Sequence, residues 1–402
     1  MRGERLALAV VSRLAGLWDD ARYHAKIRLG LTSPPILLPY RGHIAHGRLH
    51  FGGRVVEDEG IVGAEPTLSR WENLKRTFRR YETDEIREAE VAWQACGRSG
   101  TAVTDEQGFF EIEVEAGAEP AQAERPWEEV RLTLLKAKGY APFEPRRETT
   151  WLRSVSPRAD YVIVSDIDDT IIETGARNLL RHWRTVALNS AEGRVAFPGI
   201  AWFYRALCAG RDGGETNPIF YVSSSPWNLY DLIDDFLTLR EIPHGPMMLK
   251  DFGLDAKKWL TGNHADHKLA SVAHLMDSYP DLPFLLIGDT GQSDAAIYAE
   301  LVARHGRRIL AVFLRDVTPE GLMPGVREAV ARIEAAGVPV TTGPTLESAS
   351  RLAEELRLVE PGTSERMARE IVSDGEKLKD WKWPRPFGLH SPERKAETKI
   401  GG

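Results

Sequence analysis

The chain has 402 residues and a formal net charge of -7, with 52 lysines and arginines against 59 aspartates and glutamates. That length exceeds one ordinary core and implies two or three domains, and the acidic balance argues against a general nucleic-acid binder. Two cysteines, Cys96 and Cys208, are too few for a disulfide framework or a thiolate zinc site, and no apolar run reaches the ~20 residues of a membrane span.

Residues 1–38 open the chain with an amphipathic pattern. Leu6, Val10, Leu14, Leu17 and Trp18 recur at three- and four-residue spacing, as on one face of a helix. Arg2, Arg5, Arg13, Arg22, Lys26 and Arg28 outnumber Glu4, Asp19 and Asp20 there. Such a helix packs on the next domain or lies on an anionic membrane. No convincing cleavage site for a secretory leader follows. The expectation is a cytoplasmic protein with reduced, buried thiols, with peripheral membrane contact through residues 1–30 as the open alternative.

Residues 39–150 read as a small β-sandwich-like domain. "HGRLHFGGRVVED", "REAEVAWQAC", "GTAVTDEQGFFEIEVEAG" and "EEVRLTLLKAKG" alternate or run apolar between turn residues. "TDEQG" predicts a hairpin turn with Gly108 in a backbone region that favours glycine. A basic helical stretch, "LSRWENLKRTFRRYETDE", interrupts the strands. Nothing in this part points to chemistry, and a protein partner for it is unidentified. Residues 140–158 hold three prolines and no clear period, and the domain boundary is expected there.

From residue 159 to 358 the pattern changes. The apolar runs "YVIV", "PIFYV", "PMML", "PFLLI" and "RILAVFL" alternate with helical patterns. That is a βαβ series, hence an α/β domain with a Rossmann-like parallel sheet and helices on both faces. Residues 359–402 add one helix, "SERMAREIVSDGEKLKDW", and a proline- and charge-rich tail expected to be disordered.

In an open parallel sheet, ligands bind beyond the carboxyl ends of the strands. The residues just after each run are therefore the candidates. Asp166, Asp168, Asp169 and Thr170 follow the first run, Ser223 to Ser225 the second, Lys250 and Asp251 the third. Gly288, Asp289 and then Asp294 end the fourth, and Lys268 opens the helix before it. A lysine is electrostatically unfavourable at a helix start, which argues for a use other than capping.

This set resembles the haloacid dehalogenase (HAD) phosphotransferases. Asp166-x-Asp168-x-Thr170, Ser223, Lys268 and Gly288-Asp289 with Asp294 match their four motifs in order. More narrowly, "SDIDDTIIETG", "YVSSSPWNLYDLIDDFL", "MMLKDFG", "HKLASVAHLM" and "IGDTGQSDAAIY" resemble the catalytic domain of the actin-patch-associated phosphatidate phosphatases, over about residues 160–355.

The resemblance implies a phosphatase with an aspartyl-phosphate intermediate. Asp166 and Asp289 would hold Mg²⁺ through their carboxylates and Asp168 through its backbone carbonyl, with Asp294 acting through the ion's water shell or through Lys268. Asp166 would be the nucleophile and Asp168 the general acid and base. Ser223 and Lys268 would hold the phosphoryl group. Lys250 is a candidate substrate contact, and a plain surface lysine is the alternative.

HAD enzymes often enclose small substrates under a cap. Here Gly175 to Phe197 and Lys250 to His267 fill the two insertion points, and both are far below the ~50 residues of an independent domain. A minimal cap leaves the site open to a bulky phosphomonoester. Phosphatidate, hydrolysed to diacylglycerol, is the leading expectation. A phosphoprotein or soluble phosphoester is the alternative, and a scaffold with a vestigial phosphatase a third.

Overall fold

The structure is a computed structural model that describes residues 27–29, 32–58, 84–117, 126–168, 170–171, 199–211, 213–250, 264–291, 293–318 and 321–379. Most of the expected N-terminal and basic helices, the segment Gly175 to Phe197, residues 251–263, Asp169 and the tail from residue 380 lie outside the described residues.

The first sheet holds seven strands: β1 (Pro35–Ala45), β2 (Arg48–Glu57), β3 (Ala89–Ala95), β4 (Arg98–Val103), β5 (Phe109–Glu115), β6 (Trp127–Ala137) and β7 (Arg146–Arg153). Their order is β4-β3-β6-β7-β1-β2-β5. The sheet curls until its two edges meet, where the Gly117 amide donates to the Cys96 carbonyl at 3.0 Å. The sandwich-like domain thus takes the form of one nearly closed sheet around Leu49, Val55, Val91, Val130, Leu132 and Leu152. The β4–β5 turn is built as expected. Gly108 has φ +76°, and Asp105 Oδ1 accepts the amides of Gln107 and Phe109.

Two of these strands escape the periodicity. β7 lies inside the stretch expected to hold the domain boundary. Only Thr150, Leu152 and Arg153 are buried, all in its second half, so the stretch is too short and too polar to show a period of two. β1 carries Pro35 and Pro39, which argue against a strand. Both prolines pair only with β2, since β1 meets β7 through Gly42 and His43 alone. The missing amides therefore leave no ladder bond unmade on that side.

The second sheet is all parallel: β8 (Val162–Ser165), β9 (Ile219–Pro226), β10 (Met247–Lys250), β11 (Phe284–Asp289), β12 (Ile309–Arg315) and β13 (Val340–Gly343). Its helices are α1 (Ile200–Ala209), α2 (Tyr230–Leu239), α3 (His264–Ser278), α4 (Asp294–His305), α5 (Pro324–Ala335) and α6 (Glu347–Glu355), followed by α7 (Thr363–Lys379). Successive strand residues face opposite layers. Tyr161 and Ile163 join the core under α1, α2 and α6, while Val162 and Val164 join the core under α3, α4 and α5. This is the expected α/β unit with a Rossmann-like sheet. Among the described residues no helix is long and apolar enough to cross a membrane. Cys208 is buried, Cys96 is half-buried, and both are free.

The strand order β10-β9-β8-β11-β12-β13 reverses between β8 and β11. At such a switch point the connections leave in opposite directions and open a crevice beyond the strand ends. That crevice is where Asp166 and Asp289 emerge.

Candidate active site

Asp166 is locked at the switch point because its amide donates to the Ile287 carbonyl of β11 at 2.9 Å. Its carboxylate is buried and divided between two partners. Lys268 Nζ, from the first turn of α3, lies 2.6 Å from Oδ1, and the Thr170 hydroxyl donates to Oδ2 at 3.3 Å. Lys268 also donates to Asp294 Oδ1 at 2.7 Å, and Asp294 Oδ2 accepts the Asp289 amide at 3.2 Å. Oxygens of Asp166, Asp289 and Asp294, all buried, lie within 4.8 Å of one another.

Three buried carboxylates this close are costly without positive charge. Burial pushes the Asp166 carboxyl well above the usual range, Lys268 opposes that shift, and Asp294, Asp168 and Asp289 reinforce it. Burial by itself would lower Lys268, but Asp166 and Asp294 outweigh it and hold the ammonium charged. One lysine leaves the cluster net negative. An all-oxygen set of carboxylates in a crevice is the donor chemistry that a hard divalent cation selects, so the residues present fit such an ion.

Asp168 belongs to a second group. It points to β9, where Ser223 donates to its Oδ2 at 2.6 Å and Ser225 at 3.2 Å. Ser223 Oγ in turn accepts the Ser225 amide at 2.8 Å. The carboxylate is thereby fixed beside the trio and not within it. The metal contact expected of Asp168 is a main-chain one, which this side-chain arrangement leaves open. Lys250 ends β10 opposite Pro226 of β9. Its ammonium nitrogen is buried and has no hydrogen-bond partner among the described residues.

The fold therefore gathers Asp166, Asp289, Asp294 and Lys268 in one cluster and Asp168 with Ser223 in a neighbouring one. Two contributors gain a role that the sequence did not assign them. Ser225 reads as one more residue of a polar turn, and only the strand pairing brings it to Asp168. Gly288 matters by its missing side chain, because a Cβ there would meet Asp294 Oδ2 at 2.6 Å. Its signal was the Gly-Asp step itself.

Comparison with known proteins points to the part of the chain that holds these residues. Residues 161–316 match the family described as the phosphatidate phosphatase APP1 catalytic domain. Phosphatidate phosphatase APP1 of Saccharomyces cerevisiae is 28% identical over 214 residues, covering 53% of this chain and 34% of that protein. An uncharacterised protein of Schizosaccharomyces pombe is 30% identical over 164 residues, covering 40% of this chain and 26% of its own length. The chain thus spans about a third or less of the curated relatives it matches, and the homology centres on the parallel-sheet unit. Among solved structures, a carbohydrate acetylesterase from Xanthomonas citri aligns over 86% of this chain and 76% of its own at 10% identity, with a TM-score of 0.26, a likeness too slight to bear on fold or function.

Proposed function

We propose that the protein is a Mg²⁺-dependent phosphatase of the HAD type that acts on a phosphomonoester lipid, phosphatidate first, through an aspartyl-phosphate. The observation that carries this reading is the buried Asp166–Asp289–Asp294 trio with Lys268 at the sheet's switch point. The homology of residues 161–316 to a phosphatidate phosphatase catalytic domain supports the substrate class.

Asp166 and Asp289, with Asp294 behind them, would hold the ion. When bound, it screens the substrate's phosphate from the carboxylates and steadies charge in the transition state. The remaining work falls to side chains. Lys268 engages Asp166 Oδ1, and Oδ2, held only by the longer 3.3 Å bond from Thr170, is the attacking oxygen. That oxygen bonds to phosphorus as the bond to the leaving alkoxide breaks, and protonated Asp168 gives the alkoxide its proton. Asp168, now a carboxylate, takes a proton from water. The water oxygen bonds to phosphorus, the Asp166–phosphorus bond breaks, and inorganic phosphate leaves. Ser223 and Ser225 hold Asp168 at the right side of the crevice. Ser223 would turn its hydroxyl proton from Asp168 to a phosphoryl oxygen when substrate arrives. Lys250 would supply a further positive charge for the phosphate, since a buried ammonium without a partner gains most from an arriving anion.

The test is phosphate release from phosphatidate vesicles, against glycerol 3-phosphate and a phosphopeptide, with Mg²⁺ or EDTA. Release confined to phosphatidate and Mg²⁺ is expected. Asp166→Asn and Asp168→Asn should each lower turnover at least about a thousandfold, as loss of a nucleophile or general acid does. Lys250→Met should raise KM more than it lowers kcat. Full activity in Asp168→Asn, or release in EDTA, contradicts the mechanism, and preference for the phosphopeptide contradicts the substrate.

A further inference from the structure

A cavity of about 480 Å³ opens between the first sheet and the β10 edge of the second. That volume lies within the range of sites that enclose small ligands. Its walls continue the elements that carry the phosphoryl-handling residues. Trp227 stands two residues after Ser225, His267 immediately precedes Lys268, and Ser271 follows one helical turn later. The cavity and the phosphate site thus draw on the same elements, β10, α3 and the end of β9.

Its chemistry is mostly apolar. Phe109 and Met248 line it with half-exposed side chains, while Tyr40 stacks on Trp227 with ring centroids 5.0 Å apart. Thioether and aromatic walls accept flexible hydrocarbon without demanding a fixed shape. The charged groups in the wall are already committed. Arg41 pairs with Asp234, and Asp105 Oδ1 accepts two amides of its own turn. Burial pushes His43 down to about 3, so its ring is neutral. Asp105 and Glu111 sit at an exposed rim. A second phosphate or a carboxylate would find no uncommitted cation inside, whereas an alkyl chain would cover the half-exposed rings and the methionine.

We propose that this interdomain cavity receives the hydrocarbon part of the phosphomonoester while its phosphate reaches Asp166, an inference that rests on the phosphatase reading above. The β-rich domain then contributes half of the substrate site, through Tyr40 and Phe109.

The experiment compares dihexanoyl phosphatidate, below its micellar concentration, with glycerol 3-phosphate, which has the same phosphate and no chains. The full-length protein is used. Binding is followed by calorimetry in EDTA, and kcat/KM is measured with Mg²⁺. The wild type should favour the dihexanoyl ligand at least tenfold. Met248→Trp and Ser271→Leu each fill the cavity and should each remove most of that preference, with glycerol 3-phosphate changed less than twofold. Equal loss on both ligands in both variants, or no chain preference in the wild type, overturns the assignment. So does tighter binding of a nucleoside monophosphate, whose base would prefer the aromatic wall. If no phosphoester is turned over but chain-selective binding persists, the phosphatase reading fails and the cavity assignment stands. Turnover without chain selectivity keeps the phosphatase and removes the cavity's role.

Discussion

Gly288 has no room for a side chain beside the acidic cluster. The nearest atoms to an added methyl would be Asp294 Oδ2 at 2.6 Å and Tyr298 Cε2 at 2.8 Å. Tyr298 cannot yield easily, because its hydroxyl donates to the Ile287 carbonyl at 2.8 Å. Gly288→Ala should therefore push Asp294 off Lys268, costing about 1–3 kcal/mol of stability and at least tenfold in kcat. Thermal melting and turnover check both, and an alanine variant that keeps wild-type kcat would mean that Asp294 is not needed where it stands. At this scale the sequence was most legible where polarity changes abruptly. Asp166, Asp168 and Asp289 each end an apolar run, so their location at strand tips could be read directly. Which acid meets which partner was less legible. The resemblance offered Lys268 as one of two partners for Asp294, and nothing offered Ser225 for Asp168; both bonds join segments far apart in the chain.

Elements show the complementary pattern. Strands with one buried face and helices with a three- to four-residue apolar spacing were readable, as in β2, β6, α2 and α4. β1 and β7 were not, since what makes them strands is their place beside other strands. β1 also carries several interdomain contacts: Tyr40 on Trp227, Arg41 on Asp234, and His43 edge-on to Phe220 at 5.6 Å. Although burial would raise Asp234, hydrogen bonds from His244 and Arg41 hold it down at about 2, so this pair persists through the mildly acidic range. His43 behaves oppositely. Burial first, and then the neighbouring His50 and His274, push it from 6.5 to about 3. The unfolded chain binds that proton and the native one does not. The stabilising contribution is complete above pH 6.5 and is lost as pH falls toward 3. Between pH 7 and pH 5 this one group should cost about 2 kcal/mol. Denaturant titrations of wild type and His43→Leu at both pH values should differ by that amount in how far stability falls, and equal falls would show that the ring is protonated without penalty.

For the whole molecule, the decisive feature is the reversal of strand order between β8 and β11. Periodicity could announce a parallel sheet, but not the order of its strands, which depends on which crossover goes to which side. That order makes one crevice out of four separate strand tips. A cation bound there contacts the folded state only, so it must stabilise it. At a hundred times its dissociation constant, Mg²⁺ should add about 2.7 kcal/mol, which at roughly 2–4 °C per kcal/mol raises the melting temperature by about 5 °C or more. Asp289→Asn should abolish the rise. Scanning calorimetry with and without EDTA reads it independently of catalysis, and an unchanged midpoint in the wild type would deny the acidic crevice its ion.

The β1 seam also governs how the chain can be divided. Cutting it just before Tyr161 would free the homologous unit on paper, yet it would strip Tyr40 from Trp227 and Tyr230 and leave Asp234 without its arginine. The isolated piece would face water with a raw aromatic scar and an acid left to His244 alone, and it would cling to other copies of itself. The homologous half is thus an incomplete object, finished by a strand encoded more than a hundred residues upstream of the helix it covers.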